Sequence, residues 1–226
     1  MAAYVAAPFG IRSTVVVGSR TDGDFRPGIT NESRRRRLID GAWTMLTEEH
    51  GVVSRVVDSP GRHDGETGDA LFTTSPGVVL GVWVGDCAPV ALVGDVGVGI
   101  AHAGWRGVRD GVLESLVECF VAVGDQPRSA VIGPHLQVCC NEFGADDLDT
   151  MADRFGRASV GVDSRSRPAL DLRAVLQVEL STYGIEQVVG IDLCTRCRSQ
   201  HFYSHRAGDP GRQVMAVVID EESGKS

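Results

Sequence analysis

The stretch Pro89-Val90-Ala91-Leu92-Val93-Gly94-Asp95-Val96-Gly97-Val98-Gly99-Ile100-Ala101-His102 places two apolar, β-branched runs around a loop of two glycines, an aspartate and a valine. Such runs predict strands over Pro89–Val93 and Val98–Ala101, and Gly94-Asp95-Val96-Gly97 suits a four-residue hairpin loop. If Val93 faces Val98, then Pro89 faces His102 and Cys87 faces Gly104. Cys87 and His102 become diagonal neighbours on one side of the sheet, with Cα atoms about 7–8 Å apart, within reach of one small ion. A loop one residue longer or shorter would turn one of them to the opposite face.

Outward from this hairpin, strands are expected at Ser13–Gly18, Val52–Val57, Val78–Val84, Ala130–Ile132, Val188–Leu193 and Val214–Ile219. Leu38, Ala42 and Leu46 recur four residues apart, which predicts a helix from about Asn31 to Glu49. Val108, Val112 and Leu116, beside Leu113, Val117 and Phe120, predict a second. Further helices are expected around Leu148, Met151, Ala152 and Phe155, and on Leu172, Val175, Leu176 and Leu180. Ser59–Gly68 is a polar loop, and Ser159–Pro168 is polar enough to suggest a mobile one. Without repeats or a long linker, the 226 residues are expected to form one α/β domain over 1–226.

Aspartate and glutamate outnumber lysine and arginine by 30 to 22, which argues against a broad nucleic-acid or anionic-membrane surface. Lys225 is the only lysine, and arginine suits bidentate phosphate or carboxylate recognition. No apolar run approaches the roughly 18 residues of a membrane helix, and the N-terminal run has no basic stretch before it. A cytoplasmic protein is expected, where the six cysteines favour metal binding or reactivity over disulfides.

Thiolate and imidazole are zinc ligands, and a catalytic zinc commonly keeps three protein ligands and one position for water or substrate. Taken singly, Cys87 also reads as a core cysteine and His102 as a hydrogen-bonded strand-end histidine. His50 and His63 are the upstream choices for a third ligand, and spacing does not separate them. Cys194-Thr195-Arg196-Cys197 has the spacing of half a four-cysteine zinc site, with Cys139-Cys140 as the other half. Adjacent cysteines seldom share an ion, so this site is not expected and Cys197 reads as incidental. The run Arg34–Arg37 points around a helix axis, so most of it is solvated.

Gly68-Asp69-Ala70-Leu71 with Thr73, Gly85-Asp86-Cys87-Ala88-Pro89, His102-Ala103-Gly104-Trp105-Arg106-Gly107 and Ile132-Gly133-Pro134 closely resemble the YfiH/YlmD family. The likeness continues through Cys139-Cys140, Glu142 and Cys194-Thr195 to Phe202-Tyr203-Ser204-His205-Arg206. That family is known as laccase-like polyphenol oxidoreductases and as zinc-dependent purine nucleoside phosphorylases with adenosine deaminase activity. The resemblance implies a mixed α+β fold of layered mixed β-sheets flanked by helices. It also implies metal ligands His50, Cys87 and His102, so that His63 drops out. Arg20, Arg106 and, more weakly, Arg35 match positions that would meet phosphate. His135 stands where the family usually has cysteine, and is counted with these substrate-side residues. Gly85 replaces an alanine, and Glu49 replaces a hydrophobic residue beside the first ligand.

The expectation that follows is a zinc enzyme acting on a small-molecule nucleoside and phosphate, in which phosphate attacks C1′ of the ribose or water attacks C6 of adenine. Asp86 would orient groups or transfer a proton, and His205 would serve acid–base chemistry or cap a strand. A second expectation, from Cys87 and His102 alone, is a metal-free hydrolase with a Cys87 nucleophile, for which the family resemblance implies a peptidoglycan-related substrate. A copper-dependent phenol oxidase is the third and least favoured.

Overall fold

The computed structural model describes residues 3–6, 10–30 and 32–221, the first four as backbone only. Its first half contains β1 (Ala3–Ala6), β2 (Ser13–Val17), α1 (Glu32–Leu38), β3 (Ala42–Met45), β4 (Ser54–Val56), β5 (Ala70–Thr73) and β6 (Val78–Val84). The hairpin β7 (Ala88–Val93) and β8 (Val98–Ala103) follows, then α2 (Trp105–Asp110), α3 (Val112–Ala122) and β9 (Ser129–Ile132). The chain ends with α4 (Ala145–Phe155), β10 (Val160–Val162), β11 (Pro168–Leu170), α5 (Leu172–Thr182), β12 (Gln187–Gly190) and β13 (Gln213–Ile219).

Two mixed sheets stack on one another. One has the order β1-β2-β13-β6-β3 and the other β12-β9-β7-β8-β5-β4, with β10 and β11 as a separate ribbon. Strand alternation divides the interior into layers. Val90 and Leu92 of β7 join a core with α2 to α5, whereas Ala91 and Val93 face the other sheet with Val15, Leu80 and Val217. On the far side of the five-stranded sheet, Val16, Val79 and Ala216 pack against Leu38 of α1. Both faces of both sheets are thereby covered, which explains the continuous apolar runs of the inner strands. Among the described residues no helix is long and apolar enough to cross a membrane.

The β7–β8 register is the expected one: Val93 pairs with Val98 and Pro89 with His102. The turn is held from outside by Asp125, whose buried carboxylate accepts the backbone N–H groups of Asp95, Val96 and Gly97 at 2.9–3.0 Å. Burial alone would push this carboxyl up, but those donors hold it below the usual carboxylate range.

Four expectations need correction. The helix drawn through Glu49 ends at Leu38, because Gly41 takes φ 146° and the chain enters β3, parallel to β6. Trp43 and Met45 then face one core and Leu46 the other, a period of two. Asn31, the proposed helix start, lies outside the described residues. The second helix is broken at Gly111, left-handed at φ 104°, which caps α2 and starts α3. Strands expected at Val52–Val57 and Val188–Leu193 shorten to β4 and β12. The segment Ser159–Pro168 is the ordered β10–β11 ribbon, where Asp163 accepts the backbone N–H groups of Arg165 and Arg167 and pairs with the Arg167 guanidinium.

Glu179 of α5 is 3% exposed and neither carboxylate oxygen has a hydrogen-bond partner. Burial pushes its carboxyl up to about 7, against the opposing charge of Arg154. Its protonated form is favoured in the folded state, so its contribution is fully present below the unfolded value of 4.5 and is lost as pH rises towards 7. Glu179→Gln is therefore expected to match the parent near pH 4 and to be about 3 kcal/mol more stable at pH 8, read from denaturant midpoints at the two pH values.

Candidate active site

Because β7 and β8 are antiparallel, the entry to β7 and the exit of β8 lie at the same end of the sheet. Cys87 immediately precedes β7 and His102 is the penultimate residue of β8. The loop between β3 and β4 brings in His50, and the ligand atoms of His50, Cys87 and His102 all lie within 4.8 Å of one another. The two imidazoles meet edge to face with centroids 4.7 Å apart. His63 lies outside this group, its Nδ1 3.0 Å from Glu66.

Asp69 organises the three. It directly precedes β5, opposite His102, and its backbone carbonyl accepts the His102 N–H at 2.8 Å. Its Oδ1 lies 2.9 Å from His102 Nδ1, leaving Nε2 as the ring nitrogen available to Cys87 or a metal. The same carboxylate accepts the backbone N–H groups of Glu49, His50 and Gly51. This grip holds His50 at φ 61°, a left-handed conformation that costs a non-glycine residue about 1–2 kcal/mol. Burial pushes Asp69 up, yet its bond to His102 and the loop N–H groups keep it below the usual carboxylate range.

Glu48 is the second carboxylate beside the imidazole, 3.6 Å from His102 Nδ1 with its side chain 3% exposed. Burial raises it to about 8, against the attraction of His102. Glu49, singled out from the sequence, has an exposed position, and it is Glu48 that reaches the imidazole. Cys87 moves the other way. Burial would raise its thiol, but His102 and His50 lower it to about 6. His102 is correspondingly held well above its ordinary value: burial opposes its charge, and Glu48, Cys87 and Asp69 overcome that opposition.

Gly104 permits this crowding. A Cβ there would lie 3.0 Å from both Cys87 Sγ and His50 Cδ2, although φ −72° and ψ 155° would accept any residue. Gly104→Ala is expected to keep its melting temperature and to lose roughly tenfold in turnover and in retention of any ion held there, because the Cys87 and His50 side chains must separate. Parallel steady-state kinetics, chelator competition and thermal melts would check all three.

The group opens into a cavity of about 210 Å³ whose walls include Glu48, Trp83, Asp86, His205 and Arg212. A second cavity of about 140 Å³ shares Asp86, Cys87 and His205 with it and adds Trp105, Phe143 and Leu170. Trp105 and Phe143 meet edge to face at 5.1 Å. Asp86 is fixed at both oxygens, accepting from Thr195 Oγ1 at 2.7 Å and the Arg206 backbone N–H at 2.6 Å. Arg212 Nη2 lies 3.3 Å from His205 Nδ1. A Cβ on residue 85 would come within 3.0 Å of Arg212 Nε, so Gly85 is what lets this guanidinium lie against the chain.

Asp86, Cys87, His102, His50 and His205 are thus brought together, while the expected phosphate residues are not. Arg20 is bound to Asp209 at 2.7 Å and stacked over Tyr203, and Arg35 pairs with Asp64 beside α1. Arg106 is exposed and lies over the Trp105 ring. His135 is fully buried with Nδ1 2.9 Å from the Gly133 carbonyl. None of these four lines either cavity. Asp69, Glu48 and Arg212 were given no role from the sequence, although Asp69 sits within Gly68-Asp69-Ala70-Leu71. Cys197, read from the sequence as incidental, has its sulfur 3.4 Å from Cys140 and 3.7 Å from Cys139.

Residues 26–220 match the family model described as multi-copper polyphenol oxidoreductase laccase. The chain is similar to the purine nucleoside phosphorylase YfiH of Escherichia coli K12, 30% identical over 192 residues, covering 80% of this chain and 76% of that protein. It is similar to a purine nucleoside phosphorylase of Deinococcus radiodurans, 31% identical over 216 residues, covering 90% and 81%. Its fold matches a Neisseria meningitidis crystal structure with a TM-score of 0.80 at 23% identity, over 96% of this chain and 99% of that one.

Proposed function

This chain belongs to the multi-copper polyphenol oxidoreductase laccase family, which includes the YfiH proteins, and from that premise we propose that it is a metal-dependent purine nucleoside phosphorylase that also deaminates adenosine. The observation that carries this reading is the pair of adjoining cavities. One is lined by the His50, Cys87, His102 group and Arg212, the other by Trp105 and Phe143, and Asp86, Cys87 and His205 line both.

His50, Cys87 and His102 would hold one zinc ion. Two imidazoles and a thiolate are a catalytic zinc donor set, Asp69 orients His102, and a thiol lowered to about 6 is already ionised at neutral pH. Copper also accepts such donors, but its electron-transfer sites add a weak axial ligand, often methionine, and no methionine lines this cavity. Zinc, when bound, supplies Lewis-acid charge beside the attacking oxygen.

Arg212 offers positive charge and, with His205, hydrogen-bond donors to phosphate, and Trp105 with Phe143 forms an apolar wall for the purine plane. In phosphorolysis a phosphate oxygen forms the bond to C1′, the bond from C1′ to N9 breaks, and its electrons leave with the base. The base takes up a proton at a ring nitrogen, which His205, lining both cavities, is placed to deliver. In deamination water adds at C6 and ammonia leaves. Asp86, fixed by Thr195 and Arg206, holds the His205 segment against the entry to β7.

The test is incubation of the zinc-loaded protein with inosine or adenosine and phosphate. Free base with ribose 1-phosphate, and inosine from adenosine without phosphate, are expected; neither product at high enzyme concentration would overturn the reading. A second reading draws on Cys87, His102 and Asp69 as a nucleophile, base and orienting carboxylate, which makes a cysteine hydrolase. Stoichiometric metal in the active protein excludes it, whereas activity in metal-free protein that is abolished by thiol alkylation supports it.

A further inference from the structure

We propose that Cys139, Cys140, Cys194 and Cys197 form a second, structural metal site that takes one zinc-class ion in four-thiolate coordination. The four sulfurs all lie within 4.8 Å of one another. Three of the separations are 3.4 Å for Cys140 to Cys197, 3.7 Å for Cys139 to Cys197 and 3.8 Å for Cys139 to Cys140. A tetrahedron with zinc–sulfur bonds of about 2.3 Å has edges of about 3.8 Å, so these thiols already stand at ligand spacing. They are well beyond the roughly 2.05 Å of a disulfide, and all four cysteines are free. The sulfurs are also too closely gathered to surround a cluster of several irons, which leaves a single ion.

The backbone is built for the same end. Cys139 and Cys140 lie on the 3₁₀ turn Val138–Cys140, whose tight winding brings adjacent sulfurs to one side of the approaching Cys194–Cys197 turn. That turn is anchored without help from the sulfurs, by Thr195 N–H to the His135 carbonyl at 3.1 Å and Arg198 N–H to the Cys194 carbonyl at 2.9 Å. Backbone N–H groups of Gln137 and Cys197 are directed at the Cys194 sulfur, which fixes its orientation. Cys194 is buried and Cys197 exposed, giving the ion a rigid floor and an open route of entry. With four protein ligands no position is left for substrate, so the role is structural. Each ligating thiol releases its proton to solvent as the ion binds. The site ties the segment carrying Thr195, which holds Asp86, to the turn carrying Cys139 and Cys140.

This inference does not depend on the proposed catalysis, and metal counting separates the two. The full-length protein is reduced, loaded with zinc, desalted and examined by native mass spectrometry. Two zinc ions per chain are expected in the parent and one in Cys87→Ala. Cys197→Ser and Cys139→Ser are each expected to lose an ion while keeping the His50, Cys87, His102 group filled. Cobalt in Cys87→Ala is expected to give the intense thiolate-to-metal absorption and visible bands of a tetrahedral all-sulfur site, which the His50 and His102 pair left at the other site would not. This measurement stands even if Cys197→Ser or Cys139→Ser does not fold. Overturning results are a metal-free Cys87→Ala, an unchanged zinc count in Cys197→Ser, or reduced parent protein that re-forms disulfides among these cysteines and takes no ion.

Discussion

Cys87→Ala is expected to lose the ion held with His50 and His102 and to reduce nucleoside turnover at least a thousandfold, while the protein remains folded. The thiol is half-buried between two imidazoles and lowered to about 6, so it brings the only negative ligand to the set. Without it two neutral imidazoles remain, and a divalent ion is held far more weakly. Cys87→Asp sharpens the result, because a carboxylate can replace a thiolate as zinc ligand but not as a thiol nucleophile. Partial metal content with measurable turnover in Cys87→Asp identifies a ligand. Full metal content with no turnover in both variants points to the nucleophile instead. Elemental analysis and phosphorolysis rates on the same preparations decide the matter.

The second large effect is expected at a residue that touches no substrate. Asp69→Asn should weaken metal binding 10- to 100-fold in chelator competition and reduce turnover comparably. The aspartate accepts from His102 Nδ1 and from three successive backbone N–H groups around His50. An asparagine turns one of those acceptors into a donor facing N–H groups, so the loop that keeps His50 left-handed loosens. Stability is expected to fall by about 2 kcal/mol for the lost charged acceptor. A variant that lost stability but kept its metal affinity would show that Asp69 supports the loop alone.

The hairpin and its consequence for Cys87 and His102 were legible in the sequence because two constraints agreed. The glycine-bounded loop limits the register, and two-residue alternation then assigns the faces. The β3 region was not legible, because residues four apart share a face in a helix and in a strand alike. Leu38, Ala42 and Leu46 fit both patterns, and only the positive φ of Gly41 and the pairing with β6 resolve them. Asp69 was visible within a motif but silent, since its partners come from β8 and from the β3–β4 loop. Arg212 carries no local signal at all: what brings it to the cavity is the space left by Gly85. The four cysteines were set aside on the ground that adjacent cysteines seldom share an ion, and the sequence does not show the 3₁₀ turn that brings the sulfurs of Cys139 and Cys140 to 3.8 Å.

The antiparallel hairpin has a last consequence for the order in which the protein assembles. Its two strands, its Asp125-held turn and both Cys87 and His102 come from a short run of chain, so closing that loop costs little entropy. A nascent hairpin can therefore present a thiolate and an imidazole to a passing ion before the two sheets meet. His50 and Asp69 lie farther from His102 along the chain, so completing the site closes longer loops than the hairpin does.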